Sequence, residues 1–167
     1  AVSIRHVIGH VLPDVVFGCL HQALTSGAPA EGASALWVPQ LRGGHGVSES
    51  GAGGTPFNVL SFHSGGTGAR PNRDGLSATA FPSGVRSVPV EIVESIAPVV
   101  VWRKEYRTDS GGPGRMRGGL GQVMEIASAE NAPFSVYAMF ERIAHPARGR
   151  NGGHEGAPGR VSLASGQ

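Results

Sequence analysis

Apolar residues along this chain come in short bursts, and long stretches of glycine, serine and proline separate them. In residues 13–24, Val16, Phe17, Leu20 and Leu24 recur at helical spacing, which predicts a helix. Pro13 suits a first helical turn and Asp14 suits the positive end of the dipole; Ser26-Gly27 supplies the stop. Residues 35–41 and 57–62 read as short strands flanking a glycine and serine loop over 43–54. Residues 89–97 predict a short helix with Glu91 and Glu94 on one face. The β-branched and aromatic run at 99–107 reads as a strand, as do 121–127, 134–140 and a last short piece at 160–163. The pattern predicts an α+β fold: a strand-rich mixed sheet, few helices and long glycine-rich loops.

Composition narrows the class. At 167 residues the chain fits one compact domain, or a fragment of something longer, since it opens on Ala1-Val2-Ser3-Ile4, already apolar and without methionine. Gly 27 and Pro 12 make up nearly a quarter of the residues, and their clustering points to shaped loops between ordered elements. The net charge of +2 is too small for a general polyanion-binding field, and Lys104 is the only lysine beside thirteen arginines. The single cysteine, Cys19, excludes an internal disulfide and a cysteine-only zinc site, and points to a reducing cytoplasm. No apolar run reaches the length of a membrane span.

The most informative run is Asp109-Ser110-Gly111-Gly112-Pro113-Gly114-Arg115-Met116-Arg117-Gly118-Gly119-Leu120-Gly121, with six glycines in thirteen residues. Glycine reaches positive φ and permits close backbone approach, at the largest entropy cost of any residue. No phosphate-cradling Gly-x-x-x-x-Gly-Lys motif exists, and Arg117 stands where a dinucleotide fingerprint needs its third glycine. The Arg117-Gly118-Gly119 and Arg148-Gly149-Arg150 pieces are too brief and too poor in aromatic neighbours for an RNA-binding tail. His6, His10 and Asp14 lie four apart, a metal-ligand spacing on a helix, but Pro13 argues against one continuous helix there. Packed or hydrogen-bonded histidines are the plainer reading. No nucleophile elbow occurs. Glu91 and Glu94 suit acid and base work if buried together, and capping or solvation otherwise. Asp109 is expected to close its loop by accepting main-chain N–H bonds, while Arg115 or Arg117 pairs with Asp74 or Glu91. The same arginines would equally suit a substrate carboxylate, a phosphate or a developing oxyanion.

The succession Ser3-Ile4-Arg5-His6-Val7-Ile8-Gly9-His10, Gly65-Gly66-Thr67-Gly68-Ala69-Arg70, Asp74-Gly75, Glu91 to Glu94 and the Asp109 to Gly121 run resembles the hydantoinase B family over essentially the whole chain. That family includes N-methylhydantoinase and oxoprolinase B-type subunits and the related subunits of acetone carboxylases. The resemblance implies a portion of a large, oligomeric, cytoplasmic subunit in an ATP-dependent enzyme that opens cyclic amide rings. It implies an A-type ATPase partner that binds ATP, and a divalent metal held by the remainder of the B-type subunit, with no cofactor on this portion. The portion itself would shape the substrate pocket, with Arg70, Asp74, Glu91, Asp109, Arg115 and Arg117 as candidate substrate or anion contacts. Gly65, Gly66, Gly68, Gly111, Gly112, Gly114, Gly118 and Gly119 would be the shaping glycines. The other expectations are an assembly module that docks the ATPase, or a carboxylase-type subunit.

Overall fold

The computed structural model describes residues 5–24, 27–34, 36–44 and 55–163. Helix α1 (Arg5–Ala23) is followed by strands β1 (Val38–Gly43) and β2 (Phe57–Leu60), helix α2 (Val90–Ile96), and strands β3 (Val99–Tyr106), β4 (Gln122–Ser128) and β5 (Phe134–Met139). The fold is α+β, as the sequence pattern predicts, and its strands form two antiparallel sheets. One has the order β2-β1-β5, and the other pairs β3 with β4.

The central strand β1 has the deepest side chains, because it is covered on both edges by β2 and β5. Leu41 is 1% exposed and gathers Val59 from β2, Val93 and Ala97 from the α2 region, and Val99 from β3 into one core. That cluster joins the two sheets through α2, whose Glu94 accepts a 2.8 Å bond from the Val101 N–H of β3. A second core of Leu36, Val38 and Ala80 lies beside it with Phe62 and Met139. The β3–β4 register shifts between Val101 and Arg103, leaving Trp102 exposed.

Two expectations are corrected. The first helix does not begin at Pro13: α1 runs unbroken through it. Proline removes one N–H and crowds the carbonyl of residue i−4, which here is Gly9, and open space surrounds the place where a Gly9 side chain would stand. The residue after the proline is also anchored from outside, since Asp14 is buried and bonded to Ser34 and Arg142. Residues 160–163 are not a strand. No sheet edge receives them among the described residues, and Leu163 is 95% exposed. Ala35 and the segment 45–54 of the expected serine and glycine loop lie outside the described residues, as does Ser26 of the helix stop.

Candidate functional site

Four loops meet beside the sheets, laced by main-chain hydrogen bonds without forming a regular ladder. Ala30 N–H donates to Ala69 O (2.8 Å), Ala33 N–H to Gly66 O (2.9 Å) and Gly119 N–H to Thr67 O (2.9 Å). His154 N–H reaches Pro113 O (2.9 Å) and Ala157 N–H reaches Ser110 O (3.0 Å). Glycine permits this lacing by what it lacks. A Cβ on Gly66 would overlap the Gly119 main chain, and one on Gly112 would overlap His154, each closer than 3.0 Å. None of the shaping glycines named from the sequence adopts positive φ; in the 109–121 run that conformation falls on Asp109 (φ 54).

The sequence candidates divide between these loops and the sheet. The Asp74 carboxylate accepts from the Arg117 main-chain N–H (2.7 Å), so it clasps the backbone of Arg117 and not its guanidinium. The Arg70 side chain donates twice to the Asp74 carbonyl, at 3.1 and 2.7 Å. Arg115 reaches the Pro71 carbonyl at 3.4 Å, and Arg117 is exposed with no side-chain hydrogen bond among the described residues. The loop-closing role expected of Asp109 belongs to its neighbour: Ser110 Oγ donates to Arg107 O (2.7 Å) and accepts from Gly121 N–H (2.8 Å). Glu91 is exposed on α2, and no hydrogen bond or ion pair joins it to either arginine among the described residues.

Sequence reasoning missed a cluster of charged side chains that pins α1 to the last loop. Arg142 spans two carboxylates, donating to Asp14 at 2.6 Å and to Glu31 at 3.0 Å. Arg148 adds bonds to Glu31 from Nε (2.9 Å), Nη2 (2.6 Å) and its own main-chain N–H (3.1 Å). Ser34 Oγ also donates to Asp14, and Arg150 Nη2 donates to the Asp14 carbonyl at 3.1 Å. Burial pushes the Asp14 carboxyl above its ordinary range, against the pull of Ser34 and Arg142. Burial pushes Glu31 the same way, but the hydrogen bonds from Arg148 and the charges of Arg142 and Arg148 prevail and hold it low. The only visible signal was the Arg148-Gly149-Arg150 run, which names no partner.

These loops border a shallow open cleft, with Gly112, Met116, Gly118, Arg148, Arg150 and His154 among its walls. A second hollow lies between the sheets, where Ser61 Oγ and His63 Nε2 are 2.9 Å apart. Burial, with the Lys104 charge nearby, pushes His63 down to about 4. That pair has the form of a nucleophile and its base, but Ser61 is 3% exposed and out of reach of a substrate. Among the described residues no group of three or more His, Cys, Asp or Glu is placed to hold a metal ion. His10 and Asp14 share a helix face, yet Asp14 is committed to Ser34 and Arg142. The side chain of His6 lies outside the described residues. No described helix is long and apolar enough to cross a membrane.

The family model described as Hydantoinase B/oxoprolinase matches residues 1–167. A 5-oxoprolinase of Dictyostelium discoideum is 40% identical over 96 residues, covering 57% of this chain and 7% of the relative. A D-/L-hydantoinase B-type subunit of Pseudomonas sp. (strain NS671) is 32% identical over 105 residues, 62% of this chain and 17% of the relative. A nucleotide-free structure of acetone carboxylase, solved in a study of ATP-dependent acetone carboxylation, superposes with a TM-score of 0.62 at 27% identity. It covers 79% of this chain and 17% of the other. The chain thus spans less than a fifth of the length of these relatives.

Proposed function

Because the chain belongs to the Hydantoinase B/oxoprolinase family, we propose that it is part of a B-type subunit that opens a cyclic amide ring with the help of an ATP-binding partner, and that its glycine-laced loops form one wall of the substrate pocket. The observation that carries this reading is convergence. Loops distant in sequence, around Ala69, at 112–118 and at 147–156, line one cleft. The backbone places glycine where two main chains must touch. Ring opening places negative charge first on the attacked carbonyl oxygen and then on the released carboxylate, and guanidinium and N–H donors stabilise both. Arg115 and Arg117 are exposed on the loop that forms the wall, and Arg70 and Asp74 hold that loop's shape through main-chain groups. Glu91 and Asp109 are the remaining candidate contacts, both exposed. In this reading ATP is bound by the partner, a divalent metal by the remainder of the B-type subunit, and the complex is a cytoplasmic oligomer.

The test uses the complete subunit with its ATPase partner. Arg115→Gln and Arg117→Gln are expected to lower ATP-dependent ring opening by roughly tenfold or more, the loss of one charge-assisted contact, while the complex elutes unchanged in size-exclusion chromatography. Unchanged turnover would overturn the pocket reading. A specific observation favours a second reading, in which the chain docks the partner: the outer residues of α1, including Ile8, Leu12 and Val15, are 55–65% exposed. In that case the same substitutions leave turnover intact and apolar-to-charged changes on α1 dissolve the complex. The likeness to acetone carboxylase favours a carboxylase-type subunit as the variant chemistry, distinguished by bicarbonate-dependent turnover.

A further inference from the structure

We propose that Asn151 is a site of spontaneous covalent modification, at which the main-chain nitrogen of Gly152 displaces the side-chain amide as ammonia and water then opens the resulting ring to aspartate or isoaspartate. The chain carries two pairs in which glycine follows an asparagine or aspartate, Asp74-Gly75 and Asn151-Gly152. Both have the chemistry for a five-membered imide, because glycine has no side chain to shield its nitrogen. The fold separates them. At the first pair both reacting groups are occupied: the Gly75 N–H donates to Arg117 O (2.8 Å), and the Asp74 carboxylate accepts from the Arg117 N–H (2.7 Å). A Cβ on Gly75 would overlap the Thr67 carbonyl and the Gly119 nitrogen, so the backbone there has no room to swing.

Asn151 and Gly152 are exposed instead. Their φ values of 50 and 82, with the Gly153 N–H donating to Arg150 O at 2.9 Å, mark a type I′ turn, for which Asn-Gly is the favoured pair. Neither the Asn151 amide nor the Gly152 N–H has a hydrogen-bond partner among the described residues, and open space lies where a Gly152 side chain would stand. Attack follows rotation about the Asn151 Cα–C bond. That rotation breaks the turn-closing hydrogen bond, a local opening of low cost. The Gly152 nitrogen gives its proton to water and bonds to the Asn151 side-chain carbon, whose bond to the amide nitrogen breaks. Water then adds to either imide carbonyl, one giving aspartate and the other isoaspartate, so the sum consumes water and releases ammonia. Isoaspartate puts an extra carbon into the main chain between Arg150, whose Nη2 holds the Asp14 carbonyl (3.1 Å), and His154, whose N–H holds Pro113 O (2.9 Å). Modification thereby loosens two of the bonds with which this loop grips α1 and the 109–121 run.

The experiment incubates the full chain, folded, at mildly alkaline pH and body temperature in heavy-oxygen water, then digests it in ordinary water at mildly acid pH for mass spectrometry. Passage through the imide leaves heavy oxygen at the residue concerned, so Asp74 and Asn151 are read alike. Label is expected at position 151, in both the aspartate and isoaspartate forms, severalfold above any at Asp74. Asn151→Gln, whose side chain would have to close a larger ring, should abolish it there. A folded sample that gains no label at position 151, or as much at Asp74, overturns the proposal. Limited trypsin digestion reads the consequence: cleavage after Arg148 and Arg150 should rise severalfold in aged protein and stay constant in aged Asn151→Gln, and an equal rise in both overturns the loosening. Because no ring opening is measured, the result stands apart from the functional reading.

Discussion

Gly66 shows what a single hydrogen in place of a methyl group does for this molecule. Its α-carbon lies against the Gly119 main chain, where no flexible side chain can give way. Gly66→Ala is expected to cost about 1–3 kcal/mol, the usual range for overpacking, whereas Gly9→Ala, pointing into open space from within α1, should gain up to about 1 kcal/mol. Paired urea denaturation curves check both, and equal effects would show that crowding is not the reason for the first glycine. His63 supplies a pH signature. Held near 4 in the fold against an ordinary 6.5, it takes up its proton more readily unfolded. Its contribution is therefore complete above pH 6.5 and lost as the pH falls toward 4, by at most roughly 3 kcal/mol. His63→Gln, which keeps a partner for Ser61, should flatten that acid slope in unfolding midpoints measured between those values. The glycine loops were legible in the sequence because composition alone marks them. Which of the two reasons applied was not: positive φ and close approach were both open, and close approach is the one observed, a fact about neighbours that the local sequence does not contain.

The elements were legible in proportion to how much of their character is local. Strands β3, β4 and β5 follow β-branched and aromatic runs and end within two residues of where the pattern ends them. Helix α2 likewise follows its proline-bounded segment. The first half of α1 was not legible, because the local rule against an internal proline was outweighed by an anchor formed far along the chain. Arg142 makes that anchor, and its removal is the sharpest test of it. Arg142→Gln leaves Asp14 buried and without its cation, which typically costs about 3–5 kcal/mol. Adding Asp14→Asn to that variant should restore part of the loss, since burying an amide costs far less than burying a charge. A double-mutant cycle in chemical denaturation measures the coupling, and additive effects would show that the pair does not hold the helix.

For the whole molecule, the telling property is apolar surface left in water. Ile8, Leu12, Val15, Val16, Leu20 and Leu24 of the α1 segment are 42–65% exposed, and Trp102, Tyr106 and Tyr137 add aromatic faces elsewhere. Surfaces of this extent are usually covered by another protein surface, consistent with a chain that spans 7–17% of the relatives it matches. The isolated chain should self-associate at micromolar concentration, and Leu12→Glu with Leu20→Glu should shift it toward monomer in sedimentation velocity. A monomeric unsubstituted chain would remove the argument for a covering partner.

The bond from Arg142 to Asp14 joins residues 128 positions apart, and this ordering has a consequence for synthesis. On the ribosome α1 emerges well before the loop carrying Arg142, Arg148 and Arg150, and its anchor is made only when that loop has followed. Until then a helix with an internal proline stands with its apolar faces uncovered, so α1 is secured only long after it is made. A nascent chain stalled before residue 142 is accordingly the form in which protease cleavage within α1 should be fastest.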